Sequence, residues 1–297
     1  PYNQIAAAND IIKSLPADAT DATTLAKLAQ ARAMRAFAYL NLAPYFQFNY
    51  QTHPDAPCVP IVTETTEDFT QNPRASVKEV YTLIMEDLDF AVTNLEGFVR
   101  TDKAKIDQSV AYGLRARANL DMGNFADAAA DAEKAAEGYT PASIEEVSVP
   151  SFYNLNDHNW IWGYDMTPDM ALTGRYATSS SWIRSFSGWG YSAGTGVYSD
   201  CNVLLYNKIP DTDVRKGWWL DENLYSPLLD GLVWGDLKGQ EVATKESADE
   251  KMIFHPYTNV KFGMYTYGST SNEEDWPFMR VEEMILIQAE GYAKSGN

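Results

Sequence analysis

Apolar residues recur at helical spacing through the first 140 residues of the chain. They do so over residues 3–15 and again over residues 22–48, so that each segment carries an apolar face. Asp21 stands where the second helix would begin and can act as its N-cap, and Pro44 should kink or tighten its end. The pattern predicts two consecutive helices.

A proline-rich loop, residues 49–74, separates these two helices from the next one. The loop is too long to be a bare connector, and we consider it a possible contributor to ligand binding. The following helix is predicted to begin at Ser76, because Glu79 three residues later completes a capping-box pattern. Its apolar stripe consists of Val80, Leu83, Ile84, Leu88 and Ala91.

Residues 106–122 and 125–137 are predicted to form a tight helical pair. Gly123 between them can adopt the left-handed conformation that ends the first helix. The positions where the two helices must approach closely carry small side chains: Ala116, Ala128, Ala132 and Ala135. Small-residue contacts around a glycine turn are typical of tetratricopeptide repeats, and any alanine-rich helical hairpin is the alternative interpretation.

The last predicted helix, residues 277–293, repeats the ending of this pair. Ala116 and Ala289 each lie seven residues before a Gly-Asn pair, and only the first of these pairs is followed by a second helix. We therefore expect the sequence to be part of a longer protein. Further residues would cover one apolar face of the last helix, formed by Met284, Ile287 and Tyr292.

The composition changes after Thr140. Residues 141–276 are rich in Gly, Ser, Thr, Tyr and Trp. Short strands are predicted at residues 159–164 and 260–267, which are enriched in aromatic and β-branched side chains. Trp160 and Trp162 alternate along the first strand and share one face, where core packing is the expected role.

These patterns predict a mainly α fold. Tetratricopeptide-like helical pairs form a scaffold, and a long, irregular, aromatic-rich half contains a few short strands. The predicted division is residues 1–140 as scaffold, 141–276 as the ligand-binding half and 277–297 as a returning scaffold helix. We expect the three segments to form one integrated domain.

The composition narrows the classes of function. The 297 residues are 45% apolar and 13% aromatic, which suits a substantial core and argues against disorder. The net charge of -18 disfavours binding to nucleic acid or to anionic lipid. The two cysteines, Cys58 and Cys201, belong to no CxxC motif, and two unpaired thiols are expected rather than one long-range disulfide.

Residues 175–202 are the candidate ligand-binding segment, because they combine aromatic rings with serines and glycines. Sugars present apolar C–H faces rimmed by hydroxyls, so rings stack on them while polar side chains bind the hydroxyls. The alternative is that the rings anchor the loop to the core. The candidate ligand-binding residues are Arg175, Trp182, Trp189, Tyr191, Tyr198, Asp200 and Asn202.

No catalytic residue, cofactor or metal site is predicted. Asp211, Asp213 and Glu222 mimic three positions of a calcium loop, but Arg215 occupies a ligand position and Lys216 the position that requires glycine. The three histidines are isolated, without metal-ligand spacing. Carboxylates are numerous, yet nothing marks a glycosidase pair among them.

Six blocks, taken in order, resemble the SusD/RagB family, nutrient-binding surface lipoproteins of Bacteroidota. The blocks are ANDII (residues 8–12), QARAMRAFAYLNLAPYF (30–46), PRASVKEVYTLIMEDLDFA (73–91), MGNF (122–125), KIPDTDVRKGWW (208–219) and FMRVEEMILIQAEGYAKSGN (278–297). In their order and spacing, the blocks span most of the chain. Trp218 and Trp219 fall in a block that is structural in the family, which implies a scaffold role for both.

The resemblance implies a SusD-like fold and a protein that is not an enzyme. Its expected role is to capture an oligosaccharide at the cell surface for glycan uptake and to deliver it to a SusC-like TonB-dependent transporter in the outer membrane. The family's helical pairs pack against this transporter. A signal peptide, a lipidated cysteine as membrane anchor, and a further helical segment precede the matching region in the family, and a tail follows it; all are missing from this chain.

Three alternatives remain open at this point. A peptide-binding component of the same kind of uptake system should favour strand edges and an apolar groove over exposed flat rings. A helical-repeat adaptor would use a concave helical face, and the sequence upstream of Pro1 would distinguish it by lacking a lipidated cysteine. A glycoside hydrolase would cleave the glycans that it binds.

Overall fold

The computed structural model describes residues 1–47, 49–68, 70–167, 169, 199–244, 254–267 and 273–296. Its helices are α1 (Tyr2–Ser14), α2 (Ala22–Phe46), α3 (Val77–Asn94), α4 (Gln108–Met122), α5 (Phe125–Ala136), α6 (Ile144–Val147), α7 (Val203–Tyr206), α8 (Glu241–Thr244) and α9 (Val281–Ser295). Short 3-10 helices cover Val214–Trp218 and Pro227–Leu229. Its strands are β1 (Pro57–Pro60), β2 (Arg74–Ser76), β3 (Trp160–Tyr164), β4 (Val233–Trp234), β5 (Leu237–Lys238) and β6 (Trp276–Arg280).

The fold is mainly α, as predicted, and its long helices begin at the capping residues that the sequence indicates. Asp21 Oδ1 accepts the backbone N–H of Thr24 at 2.9 Å before α2. Ser76 and Glu79 form the predicted capping box of α3, with the Ser76 N–H donating to the Glu79 carboxylate at 2.7 Å. Asp107 caps α4 in the same way. Each cap satisfies backbone donors that the first helical turn leaves unpaired.

Helices α4 and α5 form the predicted close pair. Gly123 ends α4 with a φ of 83°, a conformation that glycine adopts without steric cost. The small residues predicted to lie between the two helices are fully buried: Ala116, Ala128, Ala132 and Ala135. The alanines confirm the small-residue packing inferred from the sequence.

A buried arginine fastens the proline-rich loop, residues 49–74, onto the first three helices. Arg35 of α2 is 3% exposed and binds both carboxylate oxygens of Asp87 in α3, at 2.7 and 2.8 Å. Its Nη1 also donates to Asn9 of α1 at 2.9 Å and to Glu64 of the loop at 2.6 Å. One side chain therefore ties four segments together.

The prediction of a single helix over residues 277–293 is partly wrong. Residues Trp276–Arg280 form strand β6, which pairs with β3, and α9 begins only at Val281. The Val281 N–H donates to the Asn159 carbonyl at 2.9 Å, just before β3. An apolar run this short fits either a strand or a helix, and here the distant partner strand decides.

The apolar face of α9 is covered for the most part. Met284 is 0% and Ile287 5% exposed, because this side of α9 packs against α4 and α5. Tyr292 remains 37% exposed and its hydroxyl donates to Glu133 of α5 at 3.4 Å. The expectation that Met284 and Ile287 need further chain to bury them is therefore wrong.

The two predicted strands fare differently. Residues 160–164 form β3, and Trp160 and Trp162 are 0% and 1% exposed, which confirms their core role. Residues 260–267 do not form a strand; Phe262 makes an isolated bridge with Ser151. The aromatic side chains of this segment pack against other rings, as Phe262 does against Phe152, and the backbone does not pair as a strand.

The chain divides into two compact units. Unit 1 comprises residues 1–140, 159–162 and 279–297, and unit 2 comprises residues 141–158 and 163–278. Cys58 and Cys201 are both buried and unpaired, as predicted. Within the described ranges, no helix is both long enough and apolar enough to cross a membrane.

Unit 2 has an apolar core of its own, which supports the surface described below. Leu220 and Leu229 are fully buried and pack with Val242, Ala243 and Val260. The β4–β5 hairpin and the short helix α8 lie against this cluster through Trp234, Leu237 and their neighbours.

Candidate functional site

A pocket of about 660 Å³ lies in unit 2. Such a volume is in the range of small-ligand sites. Its aromatic lining consists of Tyr206, Trp219, Tyr225 and Tyr257, and its charged lining of Asp211, Asp213, Lys216, Asp221 and Glu222. The pocket thus combines flat apolar rings with groups that bind hydroxyls.

Backbone hydrogen bonds around Leu220 hold the two main walls together. The Leu220 N–H donates to the Thr258 carbonyl at 3.0 Å, and the Tyr257 N–H donates to the Leu220 carbonyl at 3.0 Å. On its other side, the Tyr257 carbonyl accepts the Cys201 N–H at 2.9 Å. Since Leu220 is fully buried, these bonds place Trp219 and Tyr257 on a rigid base.

Two residues in or beside the pocket have a backbone conformation that L-amino acids seldom adopt. Tyr257 has a φ of 71° and Leu224, next to Tyr225, has a φ of 60°. A bulky residue in this region carries conformational strain of about 1 to 3 kcal/mol, which persists only where the surroundings enforce it. Asp221 helps to hold Leu224 in this conformation, since its carboxylate accepts the N–H groups of the two flanking residues, Asn223 and Tyr225, at 2.8 Å each.

Two rings of the pocket are tilted against each other, and a third is well exposed. The Tyr206 and Tyr257 rings are 4.9 Å apart and tilted by 52°. Tyr225 is 44% exposed, and its hydroxyl donates to Asp230 at 3.3 Å. Burial raises the pKa of Tyr206, so its hydroxyl stays protonated and able to donate.

Two ion pairs organise the charged side of the pocket. Lys216 donates to Asp211 at 2.5 Å, and this bond lowers the pKa of the Asp211 carboxyl. Arg215 donates two hydrogen bonds to the Asp213 carboxylate, from Nη2 at 2.6 Å and from Nε at 2.9 Å. These bonds lower the pKa of Asp213 to about 2. Both carboxyls are therefore ionised throughout the neutral range.

The ion pairs also bear on the calcium-loop resemblance. Arg215 and Lys216, the residues that break the calcium-loop pattern, are the partners of Asp213 and Asp211. Over the described ranges, the structure contains no group of three or more His, Cys, Asp or Glu side chains that could hold a metal ion.

Most of the ligand-binding residues predicted from the sequence lie outside the described residues. These are Arg175, Trp182, Trp189, Tyr191 and Tyr198. Asp200 is exposed and accepts the Thr258 hydroxyl at 3.0 Å, and Asn202 caps α7 by accepting the Leu204 N–H at 2.9 Å. Neither of these two residues lines the pocket.

The structure separates the neighbouring tryptophans that the sequence assigns together to the scaffold. Trp218 fits that role, because its indole N–H donates to the Val147 carbonyl at 2.9 Å and its ring packs edge-on against Phe152. Trp219 instead lines the pocket, which corrects its assignment. The sequence signal that could have suggested this is the charged segment, residues 211–216, that lies shortly before the tryptophan pair.

Comparison with known proteins places the fold in a family. A SusD-like family model, described as starch-binding and associating with the outer membrane, matches residues 1–120. The structure of a SusD-like carbohydrate binding protein from Bacteroides vulgatus superimposes with a TM-score of 0.73 at 27% identity, over 99% of this chain. Residues 1–120 are therefore SusD-like in sequence, and the chain has a SusD-like fold. The order of the six sequence blocks and the mainly α architecture agree with this likeness.

Other SusD-like structures show the same fold at lower identity. A SusD superfamily protein from Bacteroides thetaiotaomicron matches with a TM-score of 0.71 and 19% identity over 100% of the chain. A laminarin binding SusD-like protein matches with a TM-score of 0.67 and 18% identity over 98% of the chain. The chain spans 57%, 61% and 65% of these three proteins' lengths. No curated protein matches it.

Proposed function

We propose that this chain binds an oligosaccharide at the cell surface without cleaving it and delivers it to a SusC-like TonB-dependent transporter. The observation that carries the proposal is the pocket of unit 2, where four aromatic rings lie beside carboxylates and a lysine. Rings bind the apolar faces of sugars and the polar groups bind their hydroxyls, so the lining suits a glycan.

The relatives support the class of ligand and the location. One similar protein is described as carbohydrate binding and another as laminarin binding. The family description, starch-binding and associating with the outer membrane, supports placement at that membrane. The transporter and the N-terminal lipid anchor are inferred from the family resemblance alone.

The two ion-paired carboxyls of the pocket, Asp211 and Asp213, are poorly suited to act as proton donors, which supports the purely binding role that we propose. Glycosidases need one carboxyl whose pKa is raised so that it can protonate the leaving group. Asp211 and Asp213 have lowered pKa values, because Lys216 and Arg215 stabilise their ionised forms. Neither of these two carboxyls is thus expected to protonate a leaving group.

The direct test is a binding screen combined with product analysis. The chain is titrated calorimetrically with hexaoses of different linkage, such as maltohexaose and laminarihexaose, and with unrelated peptides. We expect saturable binding of at least one hexaose and its recovery uncleaved after prolonged incubation. Binding of peptides alone would support the peptide-uptake alternative, and shortened hexaoses would show a hydrolase.

The loop residues predicted from the sequence form a second part of the proposed site, together with Asp200 and Asn202. We expect Trp182→Ala or Trp189→Ala to weaken hexaose binding about tenfold, since each removes a stacking surface, while the far-ultraviolet circular dichroism spectrum stays unchanged. If calorimetry finds wild-type affinity in both variants, the assignment of the ligand-binding loop is wrong.

A further inference from the structure

The charged lining of the pocket is strongly unbalanced. Four of its side chains are carboxylates, Asp211, Asp213, Asp221 and Glu222, and one described lining residue, Lys216, is a cation. The chain as a whole carries a net charge of -18, which adds a negative background to this local excess.

Lys216, the cation among the described lining residues, is already engaged. Lys216 donates to Asp211 at 2.5 Å, and its ammonium lies 5.2 Å from the centre of the Tyr206 ring. Both contacts stabilise the ammonium where it is, and its bond to Asp211 cancels one negative charge. Lys216 therefore has little attraction left for an anionic ligand.

Asp213 is neutralised in a similar way by Arg215, which leaves Asp221 and Glu222. Asp221 accepts two backbone N–H groups, which are uncharged donors. Within the described part of the chain, neither Asp221 nor Glu222 forms an ion pair. Two negative charges in the pocket are thus uncompensated.

We infer that this pocket selects uncharged oligosaccharides and rejects those that carry carboxylate groups, with Glu222 and Asp221 as the specificity-determining residues. The inference rests on the proposed function, since it names the class of glycan that the same site accepts. Carboxylates accept hydrogen bonds from sugar hydroxyls and so favour a neutral glycan. They repel a second carboxylate, which is how a site discriminates against an unwanted ligand.

The test compares pairs of ligands that differ only in charge. Maltohexaose, laminarihexaose, cellohexaose and mannohexaose are each measured beside the same hexaose with its C6 hydroxymethyl groups oxidised to carboxylates. We expect calorimetry at low ionic strength to show at least tenfold weaker binding of the oxidised partner. The difference should shrink as salt is added, because salt screens exposed charges.

Three variants distinguish the effect of the pocket carboxylates from the effect of the overall negative charge of the chain. Glu222→Lys should reduce the preference for the neutral partner about tenfold or more, because it replaces one uncompensated negative charge by a positive one. Asp236→Lys makes the same charge change at an exposed turn of unit 2 outside the pocket and should leave the preference unchanged. Asp221→Asn keeps the acceptor of the Asn223 and Tyr225 N–H groups and should reduce the preference without disturbing the turn.

The outcomes distinguish the inference from the function on which it rests. Equal or tighter binding of an oxidised hexaose overturns the inference and leaves glycan binding intact. The same holds if Glu222→Lys and Asp236→Lys change the preference equally. If no hexaose of either charge binds, the proposed function fails and the inference falls with it.

Discussion

At the scale of single residues, unit 1 contains a buried ion pair between Arg35 and Asp87. Asp87 is 0% exposed and accepts from Arg35 twice and from Arg32 once, at 2.7 to 2.8 Å. Asp87→Asn should lower the free energy of unfolding by about 3 kcal/mol, since it removes the fully buried countercharge of the Arg35 guanidinium and leaves only the partly exposed Glu64.

Chemical denaturation measures this effect against a matched control. Glu290→Gln breaks the exposed pair with Lys294, whose charged atoms lie 2.6 Å apart, and should cost less than about 1 kcal/mol because water screens such pairs. Equal losses in the two variants would show that burial of the pair does not matter.

Glu274 gives unit 2 a pH dependence of its own. Burial raises the pKa of this carboxyl from its ordinary 4.5 to about 7, with a smaller contribution from Glu273 and Asp275. The folded state therefore holds the proton more tightly than the unfolded state. The resulting stability is fully present below about pH 4.5 and is lost as the pH rises through about 7.

Thermal or urea unfolding between pH 5 and 8 tests this dependence. The shift corresponds to a loss on the order of 3 kcal/mol over that range, and Glu274→Gln should abolish that part of the slope. A wild-type curve as flat as that of the variant would contradict the role assigned to Glu274.

At the scale of elements, the last described helix, α9, packs closely against α5 at Gly291. A Cβ atom added at Gly291 would lie 2.6 Å from the Phe125 carbonyl oxygen and 2.9 Å from the Ala129 Cβ. Gly291→Ala should therefore destabilise the protein by about 2 kcal/mol, because backbone must move to admit one methyl group.

The control for this variant lies on the outer side of the same helix. Leu286 is 69% exposed, so Leu286→Ala removes a larger side chain but should change the free energy of unfolding by no more than about 0.5 kcal/mol. A larger loss for Leu286→Ala than for Gly291→Ala would contradict the assignment of the Gly291 side of α9 as its packed face.

The elements also show which parts of the fold can be predicted from sequence. The helix starts at Asp21 and Ser76 are predictable, because a cap and its partner lie within three residues of each other. Strand β6 is not, since its pairing with β3 depends on residues more than 100 positions away. Local periodicity therefore misassigned residues 277–280 to a helix.

At the scale of the whole molecule, sequence composition located the aromatic-rich half but not the pocket within it. Trp219 and Tyr257 line the same pocket because Leu220, next to Trp219, forms backbone hydrogen bonds with Tyr257 and Thr258. The left-handed conformation of Tyr257 has no sequence signature, unlike that of Gly123. The pocket arises from tertiary contacts that short-range patterns do not encode.

The central claim is that the rings of this pocket bind an uncleaved oligosaccharide. It is tested most directly by isothermal titration calorimetry of a hexaose that binds the wild-type chain, repeated with Trp219→Ala, Tyr225→Ala and Tyr45→Ala. Tyr45 is 85% exposed in unit 1, so it controls for the loss of an aromatic ring elsewhere. We predict about tenfold weaker binding, or more, in both pocket variants with unchanged circular dichroism, and wild-type affinity in Tyr45→Ala. Wild-type affinity in both folded pocket variants would contradict the claim.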